Sequence, residues 1–164
     1  AATVPVERII AVDMVPERLA LALEVGATDI VDASTESLTE RIAALTGGSG
    51  VDAAIETTGN TAVLEETIGA IGIGGTCLVI GAPAAGSRVS FDVNALLPGR
   101  TITGVTLGDS DPGTFIPRLM ELRRTGAFPI DRLIRRYPFR DINRAADDAR
   151  AGRTIKPVLV MEGL

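Results

Sequence analysis

The polar residue with the clearest chemical meaning is Asp13, which ends the apolar run RIIAVD and precedes a helix-like stretch. In a dinucleotide-binding fold, an acidic residue at this place accepts hydrogen bonds from the adenosine ribose hydroxyls. Its charge would also repel a 2′-phosphate, which favours NAD over NADP. Two alternatives stay open: an Asp here can simply form a turn or a helix cap, and methyltransferases that use S-adenosylmethionine place an acid similarly.

A glycine fingerprint for the pyrophosphate should precede such an acidic residue by about 20 residues. Only twelve residues stand before Asp13, and none of them is Gly. A relaxed match at Gly48-Ser49-Gly50 with Ala53 follows a helix-like stretch and opens a strand, which is the wrong order for pyrophosphate binding. We interpret this glycine run as a helix stop.

The chain has no His and one Cys, which removes several classes of chemistry. A Ser-His-Asp triad and a Cys-His pair are excluded, and a zinc site built from this chain alone is disfavoured. Cys77 lies in the apolar run TCLVIG and is expected to be an inert core thiol. The best carboxylate-rich candidate is Asp109-Ser110-Asp111, but no Glu stands at the twelfth position of a calcium loop that would begin there. Pro112 and Gly113 mark it as a turn before a helix.

Composition indicates one compact α/β domain without a nucleic-acid or membrane partner. The 164 residues are 46% hydrophobic, include 18 Gly and carry a net charge of -5, whereas nucleic-acid binding requires a basic face. The apolar runs are too short to cross a membrane, and a cytoplasmic location is the default expectation. A group of arginines is interpreted as solvated helix and strand edges: 118, 123, 124, 132, 135, 136 and 140.

Short apolar runs alternate with helix-like stretches, and this pattern predicts a doubly wound, Rossmann-like α/β fold with a parallel sheet. Asn60 is a candidate N-cap, and 89–99 reads as a connector with one helical turn. Predicted helices cover 16–26, 37–45, 61–71, 113–125 and 141–151. Predicted strands lie in RIIAVD, ATDIVD, VDAAIETTG, GGTCLVIGAP, RTITGVTLG, 132–139 and IKPVLVM.

The carboxyl ends of the predicted strands carry further candidates, because ligands of doubly wound folds bind outside these ends. Glycines at strand ends let a flat ring approach the backbone closely, although each of them can also be an ordinary turn glycine. The strand ends are Asp13, Glu56-Thr57-Thr58-Gly59-Asn60, Ile80-Gly81-Ala82-Pro83 and Gly104-Val105-Thr106-Leu107-Gly108.

The order of these motifs resembles the zinc-type medium-chain alcohol dehydrogenases, and most of all their benzyl- or aryl-alcohol branch. The resemblance covers nearly the whole chain and corresponds to the carboxy-terminal portion of that family. The runs that carry it are IIAVD-x4-R, GATDIVD, GVDAAIETTGN, GGTCLVIGAP, GRTITGVTLGDS, FIPRLMELRRTGAFP and GRTIKPVLVM.

The resemblance implies that NAD contacts residues at these strand ends and near the carboxyl terminus. For Lys156, a cofactor contact and an ordinary solvated charge near the terminus are both open. By this resemblance, Asp13 and Arg18 would contact the adenosine ribose, and Thr58 and Asn60 would border the adenine. Ile80 and Ala82, with Gly81 between them, would flank the nicotinamide, and the backbone of Ile80, Val105 and Leu107 would bind its carboxamide. Lys156 would pair with the pyrophosphate.

The resemblance further implies a division of labour. In the family, zinc polarises the alcohol oxygen while hydride passes to the nicotinamide, and the zinc ligands come from an amino-terminal domain. We therefore expect no catalytic residue and no metal ligand in this chain. Residues 1–106 would form a partial dinucleotide-binding domain, and 107–164 would belong to the catalytic domain.

Three expectations follow about partners and activity. The family's central strand would precede RIIAVD, so strands 8–13 and 51–56 would lack their shared neighbour and expose unpaired edges. We therefore expect a homo-oligomer, most simply a dimer, or a sheet that closes differently. A second possibility is a separate partner that carries the missing amino-terminal domain. The small-molecule substrate would be an alcohol or aldehyde that the sequence does not identify. The competing hypothesis is a non-catalytic dimerisation or interaction module.

Overall fold

The computed structural model describes residues 5–161, which form parallel strands and helices in alternation. The chain divides into two compact units: unit 1 comprises Ala1–Asp32 and Asp111–Leu164, and unit 2 comprises Ala33–Ser110. In chain order the elements are β1 (Ile10–Asp13), α1 (Pro16–Glu24), β2 (Asp29–Asp32), α2 (Leu38–Thr46), β3 (Val51–Glu56), α3 (Thr61–Ala70), β4 (Ile71–Val79), β5 (Thr101–Gly104), α4 (Pro112–Arg124), β6 (Ile134–Pro138), α5 (Ile142–Arg150) and β7 (Lys156–Val160).

The strands form three separate parallel sheets. In unit 1, β1 pairs with β2 and β6 pairs with β7. In unit 2, β4 lies between β3 and β5. Every predicted strand and helix is present, and the predicted parallel α/β fold class is confirmed. The assignment of 1–106 and 107–164 to two domains of an enzyme stays a prediction.

Unit 1 positions Asp13 at the junction between β1 and α1. Pro16 begins α1, where its fixed φ suits a helix and its missing N–H costs nothing. The helix buries Leu19, and Val31 of β2 is fully buried. Gly26 follows the helix with φ 114°, a backbone conformation that favours glycine.

Unit 2 has a small apolar core formed by Ile68, Ile71 and Cys77. Asn60 caps α3, because its side chain accepts a hydrogen bond from the Ala62 amide at 2.9 Å. The Cys77 side chain is fully buried. Burial, and secondarily the negative charge of Glu56, raises the pKa of its thiol. Its placement agrees with the expectation of a core thiol.

Several predicted helices differ from the observed ones by one or two residues at their ends, and the third also loses Ile71, which belongs to β4 and not to the preceding helix. Ile71 pairs with Val51, and the register then shifts before Thr76 pairs with Ala53. The residues between include three glycines, and Gly74 has φ 71°. This irregularity depends on the pairing of β4 with β3, and helical periodicity alone could not reveal it.

Two sequence motifs adopt the structures expected for turns. The run 47–50 follows α2, and Gly47 ends that helix in the left-handed conformation with φ 62°. This agrees with a helix stop at the glycine run before β3. Asp111 caps α4 by accepting a hydrogen bond from the Gly113 amide at 3.1 Å. Within residues 5–161, no helix is long and apolar enough to cross a membrane.

Unit 1 also contains a buried carboxylate network around Asp148. This side chain accepts hydrogen bonds from the Tyr137 hydroxyl at 2.9 Å and from Arg153 Nε at 2.8 Å. Arg135 adds a more distant ion pair at 3.8 Å. Because β6, α5 and the turn before β7 each contribute, Asp148 ties the three segments together. Hydrogen bonds from Arg153 and Tyr137 lower the pKa of its carboxyl.

Replacing Asp148 by Asn should lower the midpoint of thermal unfolding by several degrees at pH 7. Because the folded-state pKa is lowered, the charged form stabilises the fold above the ordinary Asp pKa of about 3.9. This contribution is lost as the pH falls through the folded-state pKa. The difference between wild type and Asp148→Asn should therefore shrink at acidic pH.

Thermal melts between pH 7 and pH 2.5 followed by circular dichroism would measure the difference. Asp147→Asn is the matched control, because Asp147 is exposed and pairs with Arg150 three residues away, a kind of ion pair that contributes little. Equal losses in the two variants at pH 7 would contradict the assignment.

Candidate functional site

Asp13 divides its two carboxylate oxygens between two tasks. Oδ1 accepts hydrogen bonds from the amides of Met14 at 2.8 Å and Val15 at 3.0 Å. Oδ2 lies 3.6 Å from Nη1 of Arg18, which is the looser contact. The turn interpretation and the ligand interpretation are therefore compatible. One oxygen holds the backbone where α1 begins, and the other remains in position to accept from a ligand hydroxyl.

Arg18 brings a second observation to the same place. Its Nε is buried and has no hydrogen-bond partner among residues 5–161. An unsatisfied buried donor on a charged group is costly, but this atom is closed to solvent, so a ligand would meet the other part of the side chain, which is 34% exposed. Arg18 also borders a cavity of about 270 Å³ in unit 1. The group is placed to contact a polar ligand together with Asp13.

Like Arg18, the other arginines that line this cavity have acidic partners. Arg132 pairs with Glu24, and Arg135 and Arg153 both pair with Asp148. Their charges are therefore largely balanced, and the cavity as a whole is not a strongly positive anion site. Arg18 is distinguished from them by its unsatisfied Nε.

Lys156 lies at the start of β7, where it pairs with Ile134. The turn before it is held by Asp148, whose carbonyl accepts from the Arg153 amide at 2.9 Å. Within this turn, a Cβ added to Gly152 would lie 3.9 Å from Arg18 Nη2. Unit 1 thus places the turn that leads to Lys156 beside the Asp13–Arg18 pair.

In unit 2, Thr58 and Asn60 organise the segment 57–60, hereafter the first loop. The Thr58 amide and hydroxyl both donate to Glu56 Oε1 at 2.5 Å, and the Asn60 amide donates to Thr58 Oγ1 at 3.0 Å. Both residues are exposed to solvent. They are therefore rigidly held at the carboxyl end of β3, where the resemblance expects adenine.

The segment 80–83, hereafter the second loop, follows β4. The amides of Ile80 and Gly81 both donate to the Glu56 carbonyl, at 2.9 and 3.0 Å. The Ile80 side chain is half-exposed and Ala82 is exposed, so both present apolar surface of the kind that a flat aromatic ring covers. Their placement fits the expected nicotinamide contact.

Val105 and Leu107 continue the same edge after β5. The Val105 amide donates to the Val79 carbonyl at 3.0 Å, so the amides of Ile80 and Val105 are both engaged within the protein. A carboxamide at this edge would therefore have to be held through the carbonyls of these residues. Leu107 has φ 53°, in the left-handed region. Strain of this kind in a residue other than Gly is concentrated at functional sites.

Sequence reasoning placed Glu56 at a strand end but did not select it as a site residue. The structure shows that it is buried and that both the first loop and the second loop hydrogen-bond to it. Its position in the sequence could have indicated this role. A carboxylate that ends a buried strand and precedes a glycine turn must find hydrogen-bond donors nearby once the strand is buried.

The residues fit parts of a dinucleotide better than they fit a metal ion. In unit 1, the free carboxylate oxygen of Asp13 beside Arg18 suits a ligand hydroxyl; in unit 2, the close glycine turns at the strand ends suit a flat ring. By contrast, residues 5–161 hold no group of three or more His, Cys, Asp or Glu side chains that could bind a metal. The whole chain has no His, and its Cys77 is fully buried. The donor set does not fit zinc.

Comparison with known proteins agrees with this picture. The chain is 40% identical over 162 residues to geraniol dehydrogenase of Castellaniella defragrans, a match that covers 98% of this chain and 43% of that protein. It is 31% identical to alcohol dehydrogenase class-2 isozyme 2 of Oryctolagus cuniculus, over 96% of this chain and 42% of the relative. The chain thus spans less than half the length of the relatives it matches.

Solved structures show the same relationship. An alcohol dehydrogenase zinc-binding domain protein from Burkholderia ambifaria superposes with a TM-score of 0.92 at 50% identity, over 96% of this chain and 42% of that one. Benzyl alcohol dehydrogenase from Acinetobacter calcoaceticus gives a TM-score of 0.91 at 43% identity, over 94% and 43%. The family model described as zinc-binding dehydrogenase matches residues 1–123. The chain therefore belongs to the zinc-binding dehydrogenase family and corresponds to a carboxy-terminal portion of zinc-type alcohol dehydrogenases.

Proposed function

We propose that this chain is the cofactor-holding part of an NAD-dependent, zinc-type alcohol dehydrogenase that oxidises primary alcohols, aromatic ones included, to aldehydes. The observation that carries the proposal is the geometry of Asp13 and Arg18. One carboxylate oxygen is held by the backbone, while the other lies 3.6 Å from Nη1 of Arg18, whose side chain is 34% exposed. This arrangement suits a ribose diol.

Each group of residues would have a binding role and not a reactive one. Asp13 Oδ2 would accept from a ribose hydroxyl, while Arg18 would donate to a ribose oxygen. The exposed faces of Ile80 and Ala82 would pack against the nicotinamide, and the carbonyls of Ile80 and Val105 would accept from its carboxamide. NAD, when bound, supplies the hydride acceptor.

Other roles come from the resemblance and from the charge of the group. Thr58 and Asn60 would border the adenine from the carboxyl end of β3. The Lys156 ammonium would pair with the pyrophosphate as a point charge, from a β-strand start that the Asp148 network holds in place. The backbone at Leu107, bent into the left-handed region, would contact the carboxamide.

The chemistry of alcohol activation would reside outside the described residues. They offer neither a suitable metal-ligand group nor, with His absent from the chain, the usual side chain for proton transfer near neutral pH. We therefore propose that an amino-terminal catalytic domain is the required partner and that the chain by itself does not oxidise alcohols.

The second candidate is a dimerisation or interaction module without chemistry of its own. Val93 and Leu97, in the segment before β5, are large apolar residues with exposed fractions of 69% and 80%. Exposed apolar side chains close together often mark interfaces, and in this family the segment commonly lies between subunits. The two candidates are compatible, since a cofactor-holding chain can also dimerise.

Weak binding of NADH, stronger than that of NADPH, is the outcome we expect for the purified chain, because the pyrophosphate turn is not among its residues. Ligand-observed NMR detects such binding. Asp13→Asn should reduce the NADH preference by about tenfold, because a hydrogen bond to a charged acceptor is weakened and repulsion of the 2′-phosphate is removed.

Asp52→Asn is the control for this experiment, since it removes the same charge from an exposed position on β3. Its NADH preference should equal that of wild type. Loss of the preference in both variants would mean that net charge, and not Asp13, selects the cofactor. Micromolar NADH affinity of the unaltered chain would contradict the expectation of weak binding.

For metal content and turnover, we expect less than stoichiometric zinc after purification in zinc-supplemented medium and no oxidation of benzyl alcohol with NAD. Elemental analysis and absorbance of NADH are the measurements. Stoichiometric zinc together with alcohol oxidation would overturn both the donor-set argument and the proposed need for a catalytic domain.

Leu97→Glu should shift the chain from dimer towards monomer in analytical ultracentrifugation, because a charged side chain would have to be buried in the interface. Ile116→Glu serves as the control, since Ile116 is an exposed apolar residue of α4 outside the segment before β5. A monomeric wild-type chain, or equal dissociation of both variants, would remove the support for the dimerisation module.

A further inference from the structure

The first loop and the second loop of unit 2 touch backbone to backbone. A Cβ added to Gly81 would lie 2.2 Å from the Gly59 nitrogen, and a Cβ added to Gly59 would lie 2.8 Å from the Ala82 carbonyl oxygen. Real Cβ atoms do not come this close to backbone atoms. The two turns therefore meet at a contact that only glycine allows. Their backbones touch directly, with no side chain between them.

The Glu56 side chain occupies the place next to this contact. It is 3% exposed, and a Cβ on Gly81 would lie 2.7 Å from its Oε2. Its Oε1 accepts from the Thr58 amide and hydroxyl at 2.5 Å and from the Gly59 amide at 3.2 Å. Donors of the first loop thus satisfy the hydrogen-bonding capacity of the buried carboxylate. Hydrogen bonds to a charged acceptor are stronger than those between neutral groups.

The Glu56 backbone holds the other loop. Its carbonyl accepts from the amides of Ile80 and Gly81, at 2.9 and 3.0 Å. A single residue therefore anchors the first loop through its side chain and the second loop through its main chain. Displacement of the carboxylate would release Gly59, and the close Gly59–Gly81 contact would pass that displacement to the second loop.

We propose that Glu56 is a positioning residue that sets the spacing of the two loops, and through it the placement of the residues that would contact adenine and nicotinamide. The consequence for a cofactor rests on the proposed function, whereas the coupling of the loops does not. Glu56 does not contact the reacting atoms. Its role is to keep Thr58 and Asn60 in register with Ile80 and Ala82.

A purely structural role predicts a different result from a positioning role. If Glu56 only stabilised unit 2, its replacement would increase opening throughout the unit. If it couples the loops, its replacement would increase opening at the loop amides specifically, including those of Ile80 and Gly81, whose hydrogen bonds go to the backbone and survive the substitution.

Amide hydrogen exchange of the 164-residue chain, resolved by NMR, distinguishes the two roles. Glu56→Gln retains the shape of the side chain and one acceptor oxygen, but it removes the charge and turns an amide donor towards the Gly59 amide. We expect exchange at Thr58, Gly59, Ile80 and Gly81 to become roughly tenfold faster or more, relative to the Cys77 amide in the core. Ile68→Val is the control, because it perturbs the same core away from the loops and should leave these ratios unchanged.

Each outcome decides the proposal. Faster exchange in both loops with an unchanged control supports coupling by Glu56. Wild-type exchange ratios in Glu56→Gln would overturn it, and so would a change confined to Thr58 and Gly59, since Glu56 would then serve its own loop alone. Unfolding of Glu56→Gln would leave no local signal, so Glu56→Asp provides the second variant. Its carboxylate keeps the charge but is too short to hold the donors, and it should also release both loops.

A cofactor titration keeps the two proposals apart. NADH should bind Glu56→Gln about tenfold more weakly than wild type, whereas Ile68→Val should match wild type. If the wild-type chain gives no NADH signal, the proposed function loses its support, and the exchange data still decide the role of Glu56. If exchange changes as expected but NADH binds both chains equally, Glu56 couples the loops without affecting the cofactor, and the positioning role is overturned.

Discussion

Parallel pairing of β3, β4 and β5 is the constraint on which the candidate site of unit 2 depends. Glu56 lies opposite Val79, and Val79 lies opposite Gly104, so the three strands end level with one another. Parallel strands that end together bring their following loops to one edge. The amides just beyond the strands then need acceptors, and the carbonyls of Glu56 and Val79 supply them. Sheet geometry thereby fixes the loops before any ligand contributes.

Much of this could be read from the sequence because it depends on local patterns. Alternating apolar runs and helical stretches predicted every strand and helix, and Asn60 was recognised as a cap because its chemistry acts on the next turn of chain. Strand ends were identified because glycine and polar residues interrupt the apolar runs. The family resemblance depended on the order of these motifs along the chain.

The features that escaped prediction depend on contacts between distant residues. The placement of Ile71 in β4 follows from its pairing with Val51. Glu56 became a candidate only when its burial and its donors were known. The unsatisfied Nε of Arg18 has no sequence signal either, since every arginine of the same cavity acquires an acidic partner through folding, and only the geometry shows which donor atom lacks one. Composition gives the number of charges but not their partners.

The strained backbone of unit 2 lies in the segment that follows β5. Leu107 and Asp109 both have left-handed backbones, with φ 53° and 48°, each at a cost of roughly 1–2 kcal/mol. Leu107 is also 89% exposed, so burial of its side chain does not offset this cost. Conformations of this kind persist where surrounding structure enforces them or where a ligand contact uses the backbone. Here the Val105 amide donates to the Val79 carbonyl, the Asp109 amide donates to the Thr106 carbonyl and the Ser110 hydroxyl donates to the Leu107 carbonyl, so hydrogen bonds hold the segment along its length. These local hydrogen bonds maintain the left-handed turn, and under the proposed function its backbone would also be presented to the carboxamide of NAD.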